Sequence, residues 1–485
     1  MNQKELEKYL WGAATALRGT IDAGDYKQYI FPLLFFKRIS DVYDEEYENA
    51  LAESDGDSEY AAFKENHHFV VPQGAHWNDV REVTVNIGAA LQNAMRAIEQ
   101  ANLDTLSGIF GDASWTNKNR LSDAMLVNLI EHYSQHKLSL SNVPDDKLGN
   151  AYEYLIKEFA DDSGHTAAEF YTNRTVVKLM TMIMDPQPGE SVYDPTCGSG
   201  GLLLNCALHL KDEGKEYRTL KLYGQEINLL TSAIARMNMF MHGIEEFKIV
   251  RGNTLSNPGL LENDELKKFN VILANPPYSI KSWDRDTFTN DPYGRNLWGT
   301  PPQGCADYAF QQHIQKSLND QSGRYAILWP HGILFRDMEA QMRRKMIEED
   351  NVEAVIGLGG NLFYNSPMEA MILVGNTNKP IERQGKVLFI NGKNDVVDNK
   401  GLAYLSEEHI DKLYRTYSEY KDVPGYSKVS SIENILEHDG NMNINFYVKT
   451  EGSDSERSFE KDYEKWSDAG DQLKASMDNL LKGFN

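Results

Sequence analysis

From about Thr175 onward, short apolar runs alternate with amphipathic stretches, and no other feature constrains the fold of this chain as tightly. VVKLMTMIM reads as helix, ESVYDPTCGSGG as a strand into a glycine loop, LLLNCALHLK as helix, KLYGQEI as strand, LLTSAIARMNMFMHG as helix, and FKIVRGNTL and VILANPPY as strands. Further on, YAFQQHIQKSL and EAQMRRKMIEED read as helices, while GRYAILWP, VEAVIGL, AMILVGN and VLFIN read as strands. Such β–α repetition predicts an α/β fold: a mostly parallel, doubly wound sheet with helices on both faces and a ligand at the carboxyl ends of its strands. Before it, residues 1 to about 155 place apolar side chains at three- and four-residue spacings, as in YKQYIFPLLFFKRISDVYDEEYENAL and DAMLVNLIEHYSQHKLSL, with almost no strand-like alternation. After about residue 400 the periodicity weakens. We therefore expect a helical N-terminal domain over 1–155, an α/β domain over 156–450 and a charged, amphipathic C-terminal helical tail over 451–485.

A chain of 485 residues has room for two or three such units. No apolar run approaches the roughly 20 residues of a membrane helix, so no membrane partner is expected. The opening MNQKELEKYLWGAA turns charged where a secretory signal needs its apolar core. Cys197, Cys206 and Cys305 form neither a disulfide framework nor a metal-ligand spacing, which points to a reducing cytoplasm and implies no structural zinc. The net charge of −23 argues against a chain that grips nucleic acid over a wide surface by itself. It leaves room for an enzyme with one local basic cleft, or one whose partner supplies most phosphate contacts.

Two stretches carry candidate chemistry. In SVYDPTCGSGGLLL a strand runs into Asp194, a tight loop holds Gly198, Ser199, Gly200 and Gly201, and a helix begins at once. Glycines let backbone approach a ligand closely, and a helix start presents unpaired N–H groups. Such loops usually cradle phosphate. This one lacks both the Lys-Ser/Thr of a Walker A motif and the full dinucleotide spacing, and Asp194 would repel phosphate but suit an ammonium. Glu226, ending KLYGQEI, stands where an acid in a doubly wound nucleotide site accepts hydrogen bonds from ribose hydroxyls. A cationic head, a ribose and no phosphate describe S-adenosylmethionine. The second stretch, FNVILANPPYSI, stops a buried strand at Asn275, Pro276, Pro277 and Tyr278, at the same predicted sheet edge. Taken singly, each also has a plain structural reading: a strand–helix turn, a solvated Glu and an Asn-Pro strand exit.

Taken together, DPTCGSGG, the Glu of GQEI and NPPY resemble the motifs of amino-methyltransferases that modify adenine N6 in DNA. AEFYTNRTVVKLM, ADYAFQQHI, GRYAILWPHGILFR and NLFY, with the helical LRGTIDAGDYKQYIFPLLFFKRISD, resemble one branch, the modification (methylase) subunit of type I restriction–modification systems. The resemblance runs from about residue 8 to about 450. It implies a Rossmann-like, class I S-adenosylmethionine-dependent methyltransferase acting on a flipped adenine in double-stranded DNA. It further implies a separate DNA specificity subunit joined by two methylase subunits, and room for an ATP-dependent restriction subunit.

On that resemblance each motif acquires a role. The exocyclic amine of adenine is a poor nucleophile because its lone pair is delocalised. The side-chain oxygen of Asn275 and the carbonyl of Pro276 can each accept one of its N–H groups, Pro277 stiffens the turn, and Tyr278 can stack on the extruded base. By the same resemblance Glu169, Phe170, Tyr171, Thr172, Asn173 and Arg174 belong to the cofactor site. The residues alone make EFYTNR a helix lead-in with Thr172 or Asn173 as N-cap. Two departures stand out: Asn173 occupies a position where the family often has proline, and Asn253 in VRGNTL, assigned by the same resemblance to the cofactor site near its adenine, one where relatives often carry aspartate, so an altered but retained contact is expected. His331 in WPHGIL reads as structural. No Walker A sequence or nuclease carboxylate cluster is evident, and nothing obvious reads bases in the major groove. Methylation of a protein glutamine or an RNA base, and a non-catalytic cofactor-binding subunit, remain as rival readings.

Overall fold

Asn2 and Glu5 form a capping box that starts the first helix, α1 (Gln3–Thr15), whose Leu6, Tyr9, Leu10, Ala13 and Ala14 turn inward. The computed structural model describes residues 1–17, 25–162, 171–362, 368–399 and 402–449. Among the described residues the other long helices of the N-terminal part are α2 (Lys27–Glu53), α3 (Ile87–Ala101), α4 (Asp123–Tyr133) and α5 (Asp145–Asp162). Every residue of α2 from Tyr29 to Val42 is buried. A helix buried all round must pair its charges. Lys37 Nζ donates to Asp41 Oδ1 at 2.6 Å, and Arg38 donates to the carbonyls of Leu138 and Val143 and to Asp145 Oδ1 at 2.7 Å. Arg38 thereby fixes the turn into α5.

The central sheet has nine strands: β1 (Ser191–Asp194), β2 (Lys221–Glu226), β3 (Phe247–Arg251), β4 (Val271–Ala274), β5 (Arg324–Pro330), β6 (Val352–Leu358), β7 (Ala370–Asn376), β8 (Lys386–Gly392) and β9 (Ser427–Ser431). Their spatial order is β9-β8-β6-β7-β5-β4-β1-β2-β3. Seven run parallel, while β7 and the edge strand β9 pair antiparallel with their neighbours. The expected mostly parallel, doubly wound sheet is therefore present. Along β1 and β4, Val192, Val271 and Leu273 face one apolar layer, and Tyr193, Ile272 and Ala274 face the other. Both faces are buried, as a largely parallel sheet requires. The covering helices are α6 (Arg174–Met184), α7 (Gly201–Asp212), α8 (Leu229–Met241), α9 (Asp307–Ser317), α10 (Ala340–Glu348) and α11 (Glu407–Glu419). Weak periodicity after residue 400 conceals α11 and β9; β9 reads SKVSS, a polar edge strand without alternation. No described helix is long and apolar enough to cross a membrane. The tail expected over 451–485 lies outside the described residues, as do Glu169 and Phe170.

α8 joins the two parts. Its Ile234, Met237 and Met241 belong to the helical N-terminal core, and its Met239 to the core against the sheet. Phe35 stacks on Phe240 at 5.9 Å, and Phe69 meets the same ring edge-on at 5.1 Å. α5 lies so close to α8 that a Cβ on Gly149 would sit 2.4 Å from the His242 ring. That ring is buried, and its Nδ1–H donates to the Asn238 carbonyl at 2.9 Å. Replacing a helical glycine by alanine ordinarily gains up to about 1 kcal/mol. Here overpacking of about 1–3 kcal/mol opposes it. Gly149→Ala should lower the chemical-denaturation midpoint of the chain; an unchanged or raised midpoint would show that the seam is looser than these distances.

Candidate functional site

β1 and β4 are neighbours in parallel register, Val192 opposite Val271 and Tyr193 opposite Ile272. Their carboxyl ends therefore leave the sheet side by side, at the point where strand order reverses. That reversal opens a crevice in doubly wound sheets.

At the end of β1, Asp194 Oδ1 accepts the Thr196 N–H at 2.9 Å. The chain then turns through Gly198 (φ +53°) and Gly200 (φ +81°), the left-handed region that favours glycine, and enters α7 at Gly201. Glu226, at the end of β2, ties the turn down: its carboxylate accepts the N–H of Gly198 at 3.0 Å and of Asn228 at 2.8 Å. From beneath, the fully buried Asn238 donates to the Ser199 carbonyl at 3.1 Å and to Glu153 Oε1 at 2.6 Å. Glu153 Oε2 pairs with Arg174, whose guanidinium lies 4.5 Å from the Tyr171 ring centre. A Cβ on Gly201 would fall 1.8 Å from Arg174 Nη1, so glycine there lets the cation approach the helix start. Burial pushes the Asp194 carboxyl up to about 8; the Thr196 N–H draws it back, and the charge of Glu226 adds to the rise. Burial also holds the Cys197 thiol far above its ordinary value, which makes it no nucleophile.

At the end of β4, Asn275 is fixed at both ends of its amide. Nδ2 donates to Thr172 Oγ1 at 3.1 Å, and Oδ1 accepts the Tyr278 hydroxyl at 2.6 Å. An amide oxygen has two lone pairs, so one acceptor position remains. Pro276 is buried and Pro277 half-buried in the turn, and the Tyr278 ring lies 6.2 Å from that of Trp329. Burial, together with the charge of Asp307, holds the Tyr278 hydroxyl protonated far above its ordinary value.

One cleft of about 320 Å³, its open mouth included, joins the two turns, with Tyr171, Thr172, Arg174, Asp194, Gly198, Ser199 and Gly201 on one side and Asn275 on the other. Gly200 and Glu226 support the turn from behind. Asn173 and Asn253 are not brought to this cleft. Asn173 caps α6 through Thr175 and donates to the Ala403 carbonyl, and Asn253 Oδ1 accepts the N–H groups of Leu255 and Ser256. His331 bonds the Ala370 carbonyl. Sequence reasoning missed Glu153 and Asn238, although a lone Asn inside the apolar LLTSAIARMNMFM is a signal of a buried polar contact. It also missed Asp307, Arg336 and Glu339 beyond the NPPY turn. Among the described residues two acidic clusters have metal-like spacing. Asp185–His209–Glu213 lies on the surface, and Cys305–Asp307–Glu339 already has Arg336 on both carboxylates.

A model of the N-6 DNA methylase family matches residues 143–456, and one of the HsdM N-terminal domain matches residues 6–133. The methylase subunit of the type I restriction enzyme MjaVIII from Methanocaldococcus jannaschii is 32% identical, over 95% of this chain and 81% of that one. The corresponding subunit of MpnII from Mycoplasma pneumoniae is 28% identical, over 93% and 90%. The solved type I methyltransferase subunit from Streptococcus thermophilus is similar at a TM-score of 0.80 and 28% identity, covering 92% of this chain and 100% of that one. With one family model matching well over half its length, this chain belongs to the N-6 DNA methylases, adenine-specific DNA methyltransferases, in the branch of type I restriction–modification methylase subunits.

Proposed function

We propose that the chain transfers a methyl group from S-adenosylmethionine to N6 of an adenine swung out of double-stranded DNA. It works within a cytoplasmic complex in which two such subunits join one specificity subunit, with a separate ATP-dependent restriction subunit able to associate. In this proposal residues 1–155 form the helical domain, 156–450 the methyltransferase domain and 451–485 a helical tail. The observation that carries the reading is the single cleft shared by the glycine turn and Asn275.

The residues suit the cofactor. Arg174 offers a positive charge in the cleft, and the buried Asp194 a carboxyl that a cationic ligand would draw into its charged form, the pattern that the carboxylate and ammonium of an amino acid match. Thr172 and Ser199 stand beside them, glycine at 201 leaves room for the Arg174 guanidinium, and glycine at 200 lets the turn pack against Ala235 and Met239 of α8. When bound, S-adenosylmethionine supplies an electrophilic methyl on sulfur. All else falls to the chain. Asn275 Oδ1, held by the Tyr278 hydroxyl, takes one N–H of the adenine amine on its remaining lone pair, and the Pro276 carbonyl takes the other. Thr172 prevents the amide from rotating. Tyr278 offers its face to the base, a contact typically worth ~1–3 kcal/mol. The nitrogen's lone pair is thereby turned out of the ring plane, and holding the reactants in line supplies much of the remaining rate.

Co-expression with a candidate specificity subunit, followed by sequencing for N6-methyladenine, tests the proposal directly; absence of any methylated adenine would refute it. Asn275→Ala and Tyr278→Ala should each lower methyl transfer by about 100-fold or more. Cofactor affinity should stay near wild type, and its loss in both folded variants would misassign the turn. Asp194 gives a pH signature. Below about 8 the free carboxyl is mostly protonated, whereas a cationic ligand favours the carboxylate, so binding releases a proton. Cofactor affinity should therefore rise from pH 6 toward 8. Asp194→Asn should flatten that slope in calorimetric titrations, and an unchanged slope would remove Asp194 from the ammonium site.

A further inference from the structure

Ser279, the residue directly after Tyr278, has φ +52°, a left-handed conformation that a non-glycine side chain adopts only when its surroundings impose it. Ser279 is exposed, so packing of its own side chain does not impose it. The restraint comes from Asp307, the first residue of α9, whose Oδ1 accepts the Ser279 N–H at 2.7 Å. Asp307 is fully buried, and its Oδ2 pairs with Arg336 Nη2 at 2.6 Å. Arg336 is held in turn by Glu339, Nε to Oε2 at 2.7 Å, and Glu339 is also buried.

Two buried carboxylates sharing one arginine are a costly way to hold an element in place, since a well-packed apolar contact would serve stability as well or better. What the arrangement supplies is direction. A charge-assisted bond to a single N–H fixes the torsions on which the aim of the Pro276 carbonyl and the Asn275 amide depends. Asp307 lies far from Ser279 in sequence and on another element, so a local turn preference does not explain the contact.

We infer that Asp307 and Arg336 are positioning residues of the methyl-transfer site, holding the Asn275–Tyr278 turn in its working shape through the N–H of Ser279. The inference rests on the role proposed above for that turn. Neither residue touches the reacting atoms; they act through Ser279.

The test uses the methylase–specificity complex with tritiated S-adenosylmethionine and genomic DNA from a host lacking the system. Asp307→Asn should lower kcat by about 10–100-fold, the scale expected when reacting groups are misplaced by about an ångström. Cofactor Kd and KM for DNA should stay within about threefold of wild type. Because Asp307 is buried and its variant can fail to fold, Ser279→Pro provides a second probe at an exposed position. Proline has neither the N–H nor access to positive φ, and should give the same fall in kcat. Ser279→Gly placed in the Asp307→Asn background should recover about threefold or more of the lost kcat, because glycine reaches the left-handed region without strain. A purely structural Asp307 would show no such rescue. Full activity of Asp307→Asn and Ser279→Pro would overturn the inference, as would a rate loss matched by lost cofactor affinity and not rescued by glycine. A wild-type complex that methylates no DNA would instead overturn the proposed function, and this inference with it.

Discussion

The lateral pairing of β1 with β4 is the constraint on which the rest of this molecule depends. Neighbouring strands lie about 4.8 Å apart, so two strand ends in matched register deliver their loops to one place whatever lies between them in sequence. Val192, Tyr193, Val271 and Ile272 are all essentially without solvent exposure, which leaves the pairing no freedom to slip: a one-residue shift would exchange the side chains facing the two cores. β2 and β3 then extend to one side, β4 and β5 to the other. Among the described residues no helix connects β3 to β4 across the reversal, and the crevice there holds the glycine turn and the NPPY turn together.

The helical N-terminal part is joined to this site by polar contacts as well as by packing. Glu153 on α5 accepts from Asn238 on α8, which donates to the Ser199 carbonyl, while the other oxygen of Glu153 pairs with Arg174 in the cleft. A carboxylate so enclosed costs several kcal/mol to leave unpaired. Shifting α5 relative to α8 would thus disturb the floor of the turn and the cleft's cation together. Glu226 acts in the same way from the sheet side. An acid expected only to meet a ribose is also a structural tie for the Gly198 N–H.

The order and type of the main elements between residues 175 and 392 were legible in the sequence because short apolar runs and period-3.6 patterns alternate there with glycine and proline between them. The motif residues were legible because a strand ending in glycines, and another ending in Asn-Pro-Pro-Tyr, are unusual ways to leave a buried sheet. What stayed hidden was whatever depends on distance in sequence. The polar edge strand Ser427–Ser431 is a strand only because β8 offers it a free edge. Asn253 looked like a ligand-facing amide, yet it spends its oxygen on its own loop. Asn173 was readable as a cap and proves to be one, its amide nitrogen committed to a carbonyl across the molecule. Local propensity reports such caps; it carries no information about the partner across the fold.

Charge completes the argument. The chain carries −23, and several arginines of the loops and helices after β4 and β5 are already engaged within the protein. Arg295 is buried against Asp291 and donates to the carbonyls of Thr254 and Leu255, which holds the loop after β3. Arg336 is committed to Asp307 and Glu339, and Arg343 to the carbonyls of Gly440 and Arg336. A guanidinium saturated by carboxylates and carbonyls adds little to phosphate affinity, because its donors are used and its field is cancelled nearby. These cations tie loops of the protein together and leave little free charge for a backbone. Under the proposed function, such a subunit would suit chemistry on a base, with much of the affinity for the duplex supplied by a partner. The proposed specificity subunit would complete that division of labour.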